Sequence, residues 1–211
     1  MAIRTGFAIT MALTWGLALG ASGASEAPRP AITIRVANET SADGRSMALA
    51  RKEAVRIFAQ AGIDLVWLDC VSGYADYGND DPCHHLRGAV EFWVRIVSRR
   101  PPATTVDVIG FSDLDKETGD GSAGVYYPAA VDLAKRCQAR AAEVLGAAIA
   151  HEVGHLIMGA NAHSSVGVMQ ASWGRAQCLL IETSDLNFTA EQAKRLRERV
   201  DRREGLKSRA H

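Results

Sequence analysis

The sequence predicts an α+β fold: a mixed, twisted sheet of about five strands packed against a buried helix and a C-terminal helix. Three observations predict it. Residues 32–36 and 90–96 alternate apolar and polar side chains with the period of half-buried strands. Met47, Ala50, Ala54, Ile57, Phe58 and Ala61 recur at helical spacing, so that helix has one stripe to bury. Residues 141–149 are apolar nearly all round, which places a second helix inside the molecule.

The elements follow in order. Ile32, Ile34 and Val36 form the first strand. Asp43 or Ser46 caps the first helix, which Gly62 ends after about Ala61. Residues 63–68 are a nearly continuous apolar run, hence a buried strand. Val90, Phe92, Val94 and Ile96, alternating with Glu91, Trp93 and Arg95, make a third, and residues 106–111 a fourth. The acidic segment 113–121 offers oxygen atoms that suit calcium, but it does not match the calcium-loop pattern and reads as a solvated loop. Residues 122–127 read as a short strand stopped by Pro128, and Gly121, Gly124 and Pro128 suit a sheet edge. Trp173 and residues 179–181 pack back beneath the buried helix. Thr189-Ala190-Glu191-Gln192 is a capping box with Phe188 ahead of it. The helix beyond buries Ala193, Leu196 and Val200 and turns its many charges to solvent.

Composition narrows the function. The 211 residues carry a formal net charge of zero with no long charged block, so nothing selects nucleic acid or an anionic membrane. Residues 1–24 have the pattern of a signal peptide: Arg4, an apolar run over 7–19, then small residues suited to cleavage between Ala21 and Ser25. The run is shorter than the roughly 20 residues of a spanning helix. The expectation is a secreted or periplasmic monomer without stable membrane association after cleavage, with a single domain over 31–211. The 4 cysteines all lie in the exported part, where an even count favours two disulfides. Of the three pairings, Cys70–Cys83 and Cys137–Cys178 are preferred, since they close a polar loop and tie the segments that flank the buried helix. Cys83-His84-His85 as a second metal site is the weaker reading.

The chemistry concentrates in His151-Glu152-Val153-Gly154-His155. Histidines four apart on a helix stand one turn above the other and can reach one metal. Glu152 is offset by about 100° from His151, beside such a metal and not on it, where a general base for an activated water must stand. Gly159 suits the end of that helix, and His163 and Met169 follow in the return.

Helix, glycine turn, third histidine, then methionine in a tight return resembles the metzincins, whose motif is H-E-x-x-H-x-x-G-x-x-H with a downstream Met-turn. Val168-Met169 after His163-Ser164 is similar to the matrixin branch. The whole run also resembles small exported bacterial metzincin-like proteins carrying H-E-x-G-H-L-x-x-G-x-N-x-H-S. The spacing departs from the standard pattern. Gly159 comes four residues after His155 and His163 eight, while Asn161, a poor zinc ligand, holds the standard place of the third ligand.

The resemblance implies a zincin fold with its cleft between sheet and helix. It implies Zn2+ on His151, His155 and His163, with Glu152 as base and Met169 beneath the histidines. It implies a zinc-dependent endopeptidase acting on peptide or protein substrates. It also implies that residues Ala123, Gly124, Val125 and Tyr126 form an edge strand that pairs with extended substrate through main-chain hydrogen bonds. Two alternatives stand beside it: a catalytically silent zinc-binding exported protein acting as a binding module, and a glutamate-zincin with Glu182 as third ligand and Asp185 nearby.

Overall fold

A computed structural model describes residues 28–70, 83, 90–99, 108–115 and 121–208. The expected signal peptide, His84, His85 and residues 116–120 of the acidic segment lie outside the described residues. The elements are β1 (Ala31–Glu39), α1 (Gly44–Gln60), β2 (Asp64–Cys70), β3 (Glu91–Val97), β4 (Gly110–Leu114) and β5 (Gly121–Tyr126). After them come α2 (Tyr127–Cys137), α3 (Ala141–Met158), α4 (Arg175–Glu182) and α5 (Ala190–Ser208). The strands form one five-stranded sheet in the order β2-β1-β3-β5-β4. All neighbours are parallel except β4, which runs antiparallel to β5. The α+β fold with a mixed sheet is the one the sequence predicts.

β1 lies inside the sheet and is covered on both faces. Ile32, Ile34 and Val36 are buried on one, Thr33 and Arg35 on the other, where Arg35 pairs with Glu91 of β3. α1 starts at Asp43, whose carboxylate accepts from the Ser46 amide at 2.7 Å, and this bond is the first cause of that carboxyl lying below its ordinary value. Ala50, Ala54, Ile57 and Phe58 carry α1's stripe into the core. α3 is long and apolar enough to cross a membrane, yet 83% of it is buried inside the protein, so it is the core helix. Both preferred disulfides are present, Cys70–Cys83 at the end of β2 and Cys137–Cys178 between α2 and α4. Two such bridges suit an oxidising, extracytoplasmic compartment.

Five expectations need correction. β5, which holds Ala123, Gly124, Val125 and Tyr126, is not an edge strand, because it lies between β3 and β4. Gly124 is there for close packing: a Cβ on it would lie 2.2 Å from the Phe111 ring of β4. Among the described residues the fourth strand begins at Gly110, later than the apolar run 106–111 suggested, and it is one edge of the sheet, with β2 the other. Pro128 does not simply stop a strand but sits in the first turn of α2, where its missing amide hydrogen costs nothing. A further helix, α4, forms after Trp173; it buries Ile181 but leaves Leu179 exposed.

The charged face of α5 is the fifth correction. Thr189 and Gln192 exchange the expected capping-box bonds at 3.2 and 2.9 Å. Beyond them, Arg195, Arg199 and Arg203 do not simply face water. They donate to the carbonyls of Met158, Ile157 and Leu156 at 3.0, 3.4 and 3.1 Å. Those carbonyls are the ones the last turn of α3 leaves without a helical partner, and cations favour that negative end of the helix.

Candidate metal centre

α3 carries His151 and His155 one turn apart near its C-terminus. Their Nε2 atoms are 3.1 Å apart. The loop after Gly159 brings His163 back, placing its Nε2 3.0 Å from that of His155. The ligand atoms of all three lie within 4.8 Å of one another.

The protons on these rings follow from their neighbours. A backbone carbonyl only accepts, so Nδ1 of His151 must donate to Val168 O, 2.7 Å away. Nδ1 of His155 likewise donates to Gly159 O at 3.3 Å. Each Nε2 is then a bare lone pair, and the two face each other. Burial holds both rings neutral: it pushes His151 down to about 4, against the Val168 bond, and lowers His155. Converging lone pairs about 3 Å apart repel unless a cation sits among them. Tetrahedral zinc with Zn–N near 2.0–2.1 Å would set neighbouring nitrogens about 3.3 Å apart, close to the 3.1 and 3.0 Å that separate His155 from His151 and His163. The donor set and its outer hydrogen bonds therefore fit zinc. Glu182, exposed at the end of α4, is not in the cluster.

Met169 is fully buried against the helix that carries the histidines. Gly154, inside the motif, makes room for it: a Cβ there would lie 2.7 Å from Met169 Sδ and 3.1 Å from the Phe188 ring. On the open side lies a cleft of about 330 Å³. Residues 108–112 line it, together with the three histidines, Glu152, Gln170 and Trp173. Trp173 meets the His151 ring edge-on, with centroids 5.7 Å apart.

Glu152 faces that cleft yet is only 6% exposed. Burial pushes its carboxyl up to about 8. Its seat depends on Gly110, where a Cβ would come within 2.6 Å of Glu152 Oε1. Edge strand and carboxyl group are thus fitted to each other.

Behind His151 runs a chain of polar contacts that sequence reading missed. Val168 accepts from His151 and donates its own amide to Asn187 O at 2.9 Å. Asn187 Oδ1 and Leu186 O accept from Arg56 of α1 at 2.7 and 3.0 Å. Glu53, 7% exposed, grips the other side of that guanidinium through both oxygens. The only sequence signal was a Glu-Arg pair three apart next to α1's apolar stripe. Outer partners of a metal-binding histidine fix its ring orientation, and losing one typically costs roughly 10–100-fold in metal affinity. Arg56→Met should therefore weaken zinc binding by about tenfold, read by competition with a chelator, whereas Asn187→Asp, which keeps the acceptor, should stay near wild type. A drop in melting temperature with unchanged zinc affinity would mean that Arg56 braces the fold alone.

The fold and the cluster together define the class: an α+β domain with a metzincin-like fold and a three-histidine site able to hold a metal ion. Among solved structures, the chain is similar to archaemetzincin from Methanopyrus kandleri, with a TM-score of 0.50 and 13% sequence identity, over 83% of this chain and 99% of that one. At that identity the likeness concerns the fold. No protein-family model and no curated protein matches the sequence.

Proposed function

We propose that this chain is a zinc-dependent endopeptidase of matrixin-like type, exported and acting on extended peptide segments of protein substrates. The observation that carries the reading is the convergence of three imidazoles beside a buried carboxylate in an open cleft. When bound, zinc supplies Lewis acidity for the scissile carbonyl and a lowered pKa for water.

The chain's own residues do the rest. His151, His155 and His163 would hold the metal through their ring nitrogens. Glu152 takes a proton from the attacking water and returns it to the leaving amine. Its burial raises its affinity for a proton, which suits a group that must accept one. Met169 supports the histidines from below. Substrate lies along the free edge of β4 (Gly110–Leu114), which has no further strand partner among the described residues, and pairs with it as an added strand. This role moves from residues 123–126, where the sequence reading put it, to residues that line the cleft.

The test is a digest of diverse unfolded proteins by the zinc-loaded chain, with cleavage sites mapped by mass spectrometry. Cleavage that a chelator abolishes and zinc restores supports the enzyme. Zinc binding with no cleavage of any substrate would return the chain to the silent binding-module reading.

A further inference from the structure

The cleft wall formed by residues 170–173 ends in a side-chain amide whose orientation is fixed from behind. The amide of Gly174 can only donate, and it donates to Gln177 Oε1 at 2.9 Å. Gln177 must therefore turn its NH2 group outward, and Nε2 donates to Gln170 Oε1 at 2.7 Å. Gln177 is buried, at 8% exposure, so its amide has no room to trade ends with solvent. Each link dictates the next, and the chain ends at Gln170 with its oxygen turned to Gln177. Both hydrogens on Gln170 Nε2 are then left without an acceptor among the described residues, in a half-buried side chain that lines the cleft.

A donor prepared in this way calls for an acceptor. The rest of the cleft offers mostly apolar surface, from Val108, Ile109, Phe111, Ala148 and Ala171. An extended peptide presents main-chain carbonyls alternately on its two sides. If β4 pairs with one side, carbonyls on the other side face away from the sheet and need donors elsewhere. We propose that Gln170 is a specificity-determining residue: its Nε2 donates to a main-chain carbonyl of bound peptide, and Gln177 is the positioning residue that locks the amide donor-outward. This rests on the peptidase reading above and adds the substrate group that the Met169–Trp173 segment recognises. Its consequence is selection for an extended peptide with a carbonyl near the metal, over small metal-binding molecules that lack one.

The experiment compares two probes on zinc-loaded protein, by calorimetry or competition. Acetohydroxamate reaches the metal but carries no further carbonyl. A succinyl-dipeptide hydroxamate carries main-chain carbonyls beyond its chelating group. In Gln170→Met, which keeps the stem, and in Gln170→Glu, which keeps an acceptor for Gln177 but loses the donor, the ratio of the two dissociation constants should shift about tenfold against the peptide. Zinc content and melting temperature identify any variant whose fold has changed, and the glutamate variant keeps the buried Gln177 satisfied. An unchanged ratio in both variants, with the wild type binding both probes, overturns the assignment of Gln170. Failure of the wild type to bind either hydroxamate removes the zinc-peptidase reading, and the inference with it.

Discussion

Glu152→Gln should retain zinc near wild-type content and cleave peptide at least about 10²-fold more slowly, with Glu152→Ala similar. The argument is positional. Glu152 follows a ligand by one residue, so its side chain leaves α3 about 100° away from that of His151. It lines the cleft and is absent from the group of atoms that can close on one ion. Removing it should therefore leave the metal-binding set whole while taking away the proton acceptor. General bases typically contribute roughly 10²–10⁴-fold, and the glutamine variant isolates that term because it keeps the volume packed against Gly110. Zinc content is read by elemental analysis and rate by a fluorogenic peptide chosen from the mapped cleavage sites. Equal cleavage by wild type and both variants would show that the chemistry happens somewhere else.

What the sequence revealed, and what it hid, divides along a physical line. His151, Glu152 and His155 are legible because they sit on one helix at fixed spacing, and helix geometry alone predicts their relation. Thr189 and Gln192 are legible for the same local reason. The strands β1 and β3 show themselves by alternation, since each buries one apolar face. The identity of the edge strand was not legible. Whether β4 or β5 lies outermost is decided by pairing between segments, and Gly124, which reads as an edge residue, is there because Phe111 covers it. α2 was hidden by Pro128, a residue that stops a strand and starts a helix equally well. The supporting contacts were the least visible. Arg56 lies 131 positions from Asn187, and Arg203 lies 47 from Leu156, so no local pattern announces either contact. A charged helical face reads as solvated until the carbonyls that need it are known to lie beneath it.

The same long-range contacts explain how an irregular spacing still yields a compact site, and they set the second large expected effect: His163→Ala should lose zinc, and Glu182→Ala should not. In the standard pattern the helix stops three residues after the second histidine and the third follows three later. Here α3 runs on to Met158, and Gly159 turns the chain with φ of 94°. Three carbonyls of that extended last turn accept from Arg195, Arg199 and Arg203, so the added length leaves no buried acceptor unpaired. The wider loop is then pulled back at its far end. Ser164 donates its amide to Met169 O at 3.0 Å, and its hydroxyl accepts from Gln192 of α5 at 2.8 Å. These bonds fix the backbone beside His163 and bring its Nε2 within 3.0 Å of that of His155, while Asn161 at the standard position is exposed. Loss of a ligand should cost more than the roughly 10–100-fold typical of an outer partner. Dialysis of His163→Ala against a weak chelator should therefore strip the metal under conditions where wild type, Asn161→Ala and Glu182→Ala keep it. Zinc retained by His163→Ala and lost from Glu182→Ala would give the third ligand to α4 and move the site to a glutamate-zincin arrangement.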